Sequence, residues 1–255
     1  MKEREKLARK KKECSGGNNM NYVEKINNKA CVCGEILTKA AFSHEVYGEG
    51  FYELKVGVKR LSGQTDIIPV TVSERLTEAK NLDVGSRICA IGQFRSYNKI
   101  VDGKSKLMLT VFVREILDDE SLRMPNSVAL SGYICKPTIY RTTPFNREIA
   151  DILLAVNRAY NKSDYIPCIA WGRNARFVKN LAVGEKIALT GRIQSREYVK
   201  KISETESKTL TAYEVSVSRL AAYDGAENFD MRADFGLCDN GRGENYIDEN
   251  CRIII

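Results

Sequence analysis

One histidine and one tryptophan in 255 residues leave little from which to build many kinds of site, and the eight cysteines include no CxxC pair. A tetrahedral metal centre needs thiolates or imidazoles held close together. Here His44 stands alone, and the cysteines are scattered at 14, 31, 33, 89, 135, 168, 238 and 251. Cys89, Cys135 and Cys168 read instead as small apolar residues inside strands, and most of the set as free thiols in a reducing compartment. No apolar run approaches the roughly 18 residues of a membrane span. The opening MKEREKLARKKK is charged with no apolar stretch behind it, so it is no secretory signal, and the expected location is cytoplasmic. A glycine-rich phosphate loop is missing, as are carboxylates spaced for a divalent ion and a nucleophile beside a base. Those absences argue against an enzyme, and no cofactor is expected.

What the chain does have is charge, unevenly distributed within a formal net charge of +7. Residues 2–13 hold seven basic and three acidic side chains, whereas residues 223–255 hold three basic and eight acidic ones. The body between them is basic, which points to a polyanionic partner. The acidic tail either competes for the same surface or serves another protein.

A repeat divides that body. Gly34, Val58 and Asp66 recur 98 residues on as Gly132, Val156 and Asp164, and the strings Asp66-Ile67-Ile68-Pro69 and Asp164-Tyr165-Ile166-Pro167 lie in the same register. Gly85 and Gly92 recur 99 residues on as Gly184 and Gly191. The expected organisation is a basic segment and linker at 1–21, one unit at 22–122, a second at 123–222, and an acidic tail at 223–255.

Periodicity gives both units one order of elements. In the second, alternating Val128, Leu130 and Ile134 mark a first strand, Ala150 to Val156 a second, and Ile166, Cys168 and Ala170 a third. A helix over Arg173 to Leu181, with Ala175, Phe177, Val178 and Leu181 as its buried face, precedes strands at Lys186 to Ile193 and around Val215. In the first unit a helix from about Glu74 to Leu82, capped by Ser73, takes the same place. The fold class is therefore all-β: two tandem five-stranded oligonucleotide- and oligosaccharide-binding (OB) barrels with one short helix each. Gly34, Gly92, Gly132 and Gly191 fall where strands bend to close a barrel.

The side chains then suggest a ligand. In Asp164 to Arg173, DYIPCIAWGR, the core residues Ile166, Cys168 and Ala170 leave Tyr165 and Trp171 on the opposite face. Sequence-tolerant binding of single-stranded nucleic acid uses aromatic faces for bases and cations for phosphates. The second unit offers Tyr140, Tyr160, Tyr165, Trp171 and Tyr198 as platforms, with Arg141, Arg147, Arg158, Arg173, Arg192 and Arg196 as cations. A 98-residue offset turns Tyr160, Tyr165 and Trp171 into Ser62, Ile67 and Ser73, while Lys59, Arg60 and Arg75 remain in the first unit. The second barrel is thus expected to stack bases, and the first to contact phosphates or support assembly.

The segments Asn126 to Ile134, Tyr140 to Asn157, Ile166 to Ala175 and Val183 to Tyr198 resemble the bacterial single-stranded DNA-binding protein family. The resemblance implies an OB fold that wraps single-stranded DNA in replication, repair or recombination, with aromatics at Tyr160, Tyr165, Trp171 and Tyr198 touching bases. It also implies association with the nucleoid. Asn146 stands where that family carries glycine. Family members usually bring one barrel per chain and assemble four, so two barrels here imply a homodimer. Their tail ends in an acidic run with an apolar tip that serves replication and repair partners, and YIDENCRIII imitates it loosely. Two other readings stay open: a primosome-type assembly factor that recruits a helicase or primase, and a single-stranded RNA-binding protein.

Overall fold

A computed structural model describes residues 27–79, 82–101, 103–117, 125–201 and 207–222. The basic N-terminal segment, the acidic tail, and Cys14, Cys238 and Cys251 lie outside them. The first barrel comprises β1 (Asn28–Ile36), β2 (Ala41–Val46), β3 (Glu49–Lys59), β4 (Thr65–Ser73), the helix α1 (Glu74–Ala79), β5 (Arg87–Val101) and β6 (Lys104–Leu117). The second repeats it with β7 (Asn126–Ile134), β8 (Ile139–Thr142), β9 (Glu148–Arg158), β10 (Lys162–Trp171), the helix α2 (Arg173–Val178), β11 (Lys186–Lys201) and β12 (Ser207–Ala222). Among the described residues no helix is long and apolar enough to cross a membrane.

Five strands make each barrel. The sixth, β2 or β8, pairs only with the strand that follows it, as the outer half of a hairpin arm. Inward residues of period two fill the interiors: Val32, Ile36, Val56, Ile68, Val70, Phe94 and Val111 in the first barrel, Leu130, Ile134, Leu154, Ile166, Leu189, Ile193 and Val215 in the second. The barrel closes where the end of β1, still paired with β5 on one edge, pairs with β3 on the other, and a Cβ on Gly34 would collide with the Gly57 carbonyl at that crossing. Gly132 meets the Ala155 carbonyl in the same way. Gly92 and Gly191 sit at register shifts of β5 and β11, pressed against the Phe112 and Ser216 carbonyls.

The strand order is palindromic, β2-β3-β4-β6-β5-β1-β7-β11-β12-β10-β9-β8, because β1 and β7 pair antiparallel across the repeat boundary. Asn28 faces Leu130, Ala30 faces Val128 and Val32 faces Asn126. Ala30 and Val128 are themselves equivalent, so a pseudo-two-fold axis passes through that pair. Where the backbone of Asn28 turns to the other barrel, its side chain continues the ladder to β5: Nδ2 donates to the Phe94 carbonyl at 2.8 Å and Oδ1 accepts from the Phe94 N–H at 2.9 Å. Asn126 does the same for Ile193, at 2.7 and 2.9 Å. Each amide spares two peptide groups a desolvation penalty of about 1–3 kcal/mol apiece.

Some local expectations change. In α2, Ala175 and Val178 are buried and Leu181 packs against the core, but Phe177 is exposed because it lies off the stripe that spacing of three defines. The Ser73 hydroxyl is buried without a hydrogen-bond partner and does not cap α1. Glu74 instead accepts the Gly50 N–H at 3.3 Å. Cys89 is not a lone apolar residue: β1 and β5 place it opposite Cys33, and the two form a disulfide. The matching pair in the second barrel is Ser131 and Ala188, so the fold does not require the bond. Cys135 falls just beyond β7, with its Sγ 3.1 Å from the Leu153 carbonyl, while Cys168 is a buried thiol in β10.

Candidate nucleic-acid interface

β10 separates its side chains as its alternation requires. Ile166, Cys168 and Ala170 are buried, whereas Tyr165 is 46% and Trp171 38% exposed on the other side. Their cross-strand neighbours on β9 are Ala155 and Ile149, and among the described residues neither ring stacks on another. The backbone N–H of Tyr165 donates to the Ser96 hydroxyl at 2.7 Å, so the first barrel helps hold this platform.

Tyr160 is almost fully exposed in the β9–β10 turn and, with Asn161, adopts positive φ, at 60° and 53°. A large ring in that conformation costs on the order of 1–3 kcal/mol, and the first barrel has Gly63 at the position equivalent to Asn161, so stability does not explain the tyrosine. Asn146 has φ 59° in the β8–β9 turn, a backbone that glycine favours and asparagine tolerates, which accounts for its exchange with the glycine of the resembling family. Tyr198 is exposed on β11, whose hairpin with β12 runs well past the barrel. Tyr140 is half-buried: its hydroxyl donates to Glu148 at 2.5 Å, which holds the phenol above its ordinary pKa, and the Lys179 ammonium lies 4.5 Å from its ring.

The cations fall into two groups. Arg147, Arg173, Lys59 and Arg75 are exposed. Arg141 pairs with Asp151 at 3.0 Å, and Arg196 lies 3.9 Å from Glu214. The other three serve the junction between the barrels. Arg60 bonds Asp66, as does Arg192 of the other barrel at 3.1 Å. Asp66 also accepts the Ser195 N–H at 2.9 Å, while Ser195 Oγ accepts the Ile67 N–H. The pseudo-two-fold mate of this cluster is Asp164, which accepts the Ser96 N–H at 2.8 Å and lies 3.5 Å from Arg158. Burial pushes the Asp164 carboxyl above its ordinary pKa, against the lowering pull of Ser96 and Arg158. Arg192 is lowered, first by burial and then by Arg60, and Arg60 is raised by its bond to Asp66.

The first barrel is not devoid of rings. His44 stacks on Phe51 at 5.1 Å and 12°, Phe51 tilts against Phe112 at 5.4 Å, and the Arg95 and Arg114 guanidiniums lie 3.9 and 5.4 Å from the Phe112 centroid. Comparing single positions across the repeat missed this row. The signal that would have found it is the strand pairing, since Phe51 sits opposite Ser73.

Comparison with known proteins bears on this face. The profile of the Single-strand binding protein family matches residues 125–221, the second barrel. Single-stranded DNA-binding protein 1 of Staphylococcus aureus is 33% identical over 130 residues, covering 47% of this chain and 75% of that protein. The chain belongs to the single-strand binding protein family. Another member, single-stranded DNA-binding protein 1 of Streptococcus pyogenes, is 39% identical over 82 residues, and the match spans 29% of this chain and 63% of that one. The crystal structure of the wild-type single-stranded DNA-binding protein from Thermus aquaticus aligns with a TM-score of 0.59 at 20% identity, over 76% of this chain and 92% of that one. That likeness, shared by a truncated variant of the same protein at a TM-score of 0.57, establishes the OB architecture for this member of the single-strand binding protein family.

Proposed function

We propose that this chain binds single-stranded DNA without strong sequence preference and covers exposed strands in replication, repair or recombination. Bases stack on the outer face of the second barrel. The observation that carries this reading is the exposure of Tyr165 and Trp171 on one side of β10, at positions the first barrel fills with Ile67 and Ser73. Tyr160 and Tyr198 extend the stacking surface, and the exposed Arg147 and Arg173 meet phosphates beside it. Arg60 and Arg192 act differently: their carboxylate partner at the junction gives them a part in holding the barrels together. Two chains would present four barrels, and the reading assigns the protein a binding task with no chemical step.

The test is equilibrium binding of fluorescently labelled oligo-dT. Tyr165→Ala with Trp171→Ala should lower affinity roughly 25-fold or more, since each stacked base is worth about 1–3 kcal/mol. Lys59→Ala with Arg75→Ala should cost less and should flatten the salt dependence. Equal losses from the two pairs would contradict the assignment of stacking to β10.

A further inference from the structure

We propose that the first barrel carries its own stacking site for single-stranded DNA, built on His44, Phe51 and Phe112 with Arg95 and Arg114. The inference rests on the single-stranded DNA reading given above, but it places the ligand on residues of this chain that the equivalent positions of the second barrel do not supply.

The rings have changed strand at constant height in the sheet. In the second barrel Trp171 on β10 faces Ile149 on β9; in the first, Ser73 on β4 faces Phe51 on β3. The large ring and the smaller neighbour have exchanged places, so the first barrel keeps an aromatic at the same level, one strand over. A second exchange accompanies it on the next strand. The parallel pairing of β4 with β6 sets Thr71 beside Phe112, and that of β10 with β12 sets Ile169 beside Ser216. Phe112 and Arg114 therefore replace Ser216 and Ser218. The second barrel folds with serines there, so packing of the barrel does not demand a ring and a guanidinium.

The row is open to a ligand at its end and along its edge. His44, whose imidazole covers Phe51, is exposed, as are Phe42 and Arg114, and Phe112 is half-buried. A base extending the stack beyond His44 and a second one against Phe112 would continue an arrangement of rings already spaced for stacking. Arg95 and Arg114 would hold the phosphates. Glu53, two residues beyond Phe51 on β3, accepts from the Ser43 and Tyr97 hydroxyls at 2.8 Å each, and its negative charge would favour a path for the phosphates along the arginines.

The row also leads to the other barrel. Arg95 adjoins Ser96, the residue that bonds both Asp164 and the Tyr165 N–H. Burial, followed by the charges of Arg114 and Arg158, lowers the Arg95 pKa to about 10. Arg95 and Arg158 thus stand near Asp164, with Arg114 beside Arg95, a surplus of positive charge that a bridging phosphate would offset. A strand crossing there would pass from Tyr165 directly to Phe112.

The test uses the full chain, an oligo-dT of about 10 nucleotides, within reach of one barrel, and one of about 30, long enough for two. In a His44→Ala, Phe112→Leu, Arg114→Gln variant, leucine keeps apolar bulk under the barrel face. Affinity for the long oligonucleotide should fall about tenfold or more, while the short one still quenches Trp171 as in the unaltered chain. Photocrosslinking of the unaltered chain to a long oligonucleotide carrying 5-iodo-deoxyuridine should label peptides containing His44 or Phe112. Unchanged affinity for the long oligonucleotide, or crosslinks confined to the second barrel, would overturn the proposal. Absence of Trp171 quenching by either oligonucleotide would instead defeat the underlying reading, so the two failures are distinct.

Discussion

Asp66 and Asp164 occupy equivalent places but live in different electrostatic company. Two guanidiniums bond Asp66, whereas Asp164 has Arg158 at 3.5 Å and keeps its second carboxylate oxygen buried with no hydrogen-bond partner. Burial therefore dominates, and the Asp164 carboxyl is raised above its ordinary 3.8. A carboxyl raised in the folded state contributes stability that is fully present below the unfolded pKa and is lost as pH rises through the folded one. Asp164→Asn removes this titration while retaining an acceptor for the Ser96 N–H. Denaturant unfolding from about pH 4 to about pH 7 should show the variant gaining on the unaltered chain as pH rises; a pH-independent difference would contradict the raised value. Tyr165 and Trp171 were legible as a pair because strand alternation fixes which side a residue faces. The approach of Arg192 to Asp66 was not, because it depends on contact between barrels that no local pattern encodes, whereas Arg60 and Arg158 reach their carboxylates within their own hairpins. His44, Phe51 and Phe112 were hidden for a related reason: compensation took place across strands, and an offset along the chain compares only like with like.

At the level of elements, the glycines read as bends prove to be points of backbone contact. A Cβ on Gly191 would run into the Ser216 carbonyl, and neither strand can retreat without disturbing the β11–β12 ladder. Gly191→Ala should therefore cost about 1–3 kcal/mol in equilibrium unfolding, and a neutral substitution would mean that the bulge relaxes freely. The barrel strands were readable from their period-two core residues, and α2 from Ala175 and Val178. Their lengths were not. β5 with β6, and β11 with β12, run on as hairpins whose outer halves lack a buried face and so leave no alternating pattern. The arm strands β2 and β8 were missed for the same reason, β2 being exposed along its whole length. The disulfide depends on register alone, which brings Cys33 opposite Cys89 from 56 residues away.

For the whole molecule, duplication has placed a two-fold pair of barrels within one chain. β1 and β7 form the seam, and the amides of Asn28 and Asn126 repair the ladders that the seam interrupts. A pair joined covalently is always formed in equal proportion, and its halves are free to diverge while their contact stays symmetric. Divergence is what the outer faces show, with Trp171 and Tyr165 on one barrel and the His44–Phe51–Phe112 row on the other. The central claim is that bases stack on the face of β10, and the chain's one tryptophan reports on it directly. Titrating Trp171 fluorescence with oligo-dT, against duplex DNA and oligo-rU, should give strong quenching with oligo-dT that weakens steeply as salt is raised. Fluorescence that stays unchanged at saturating oligo-dT, or quenching as strong with duplex, would contradict the account.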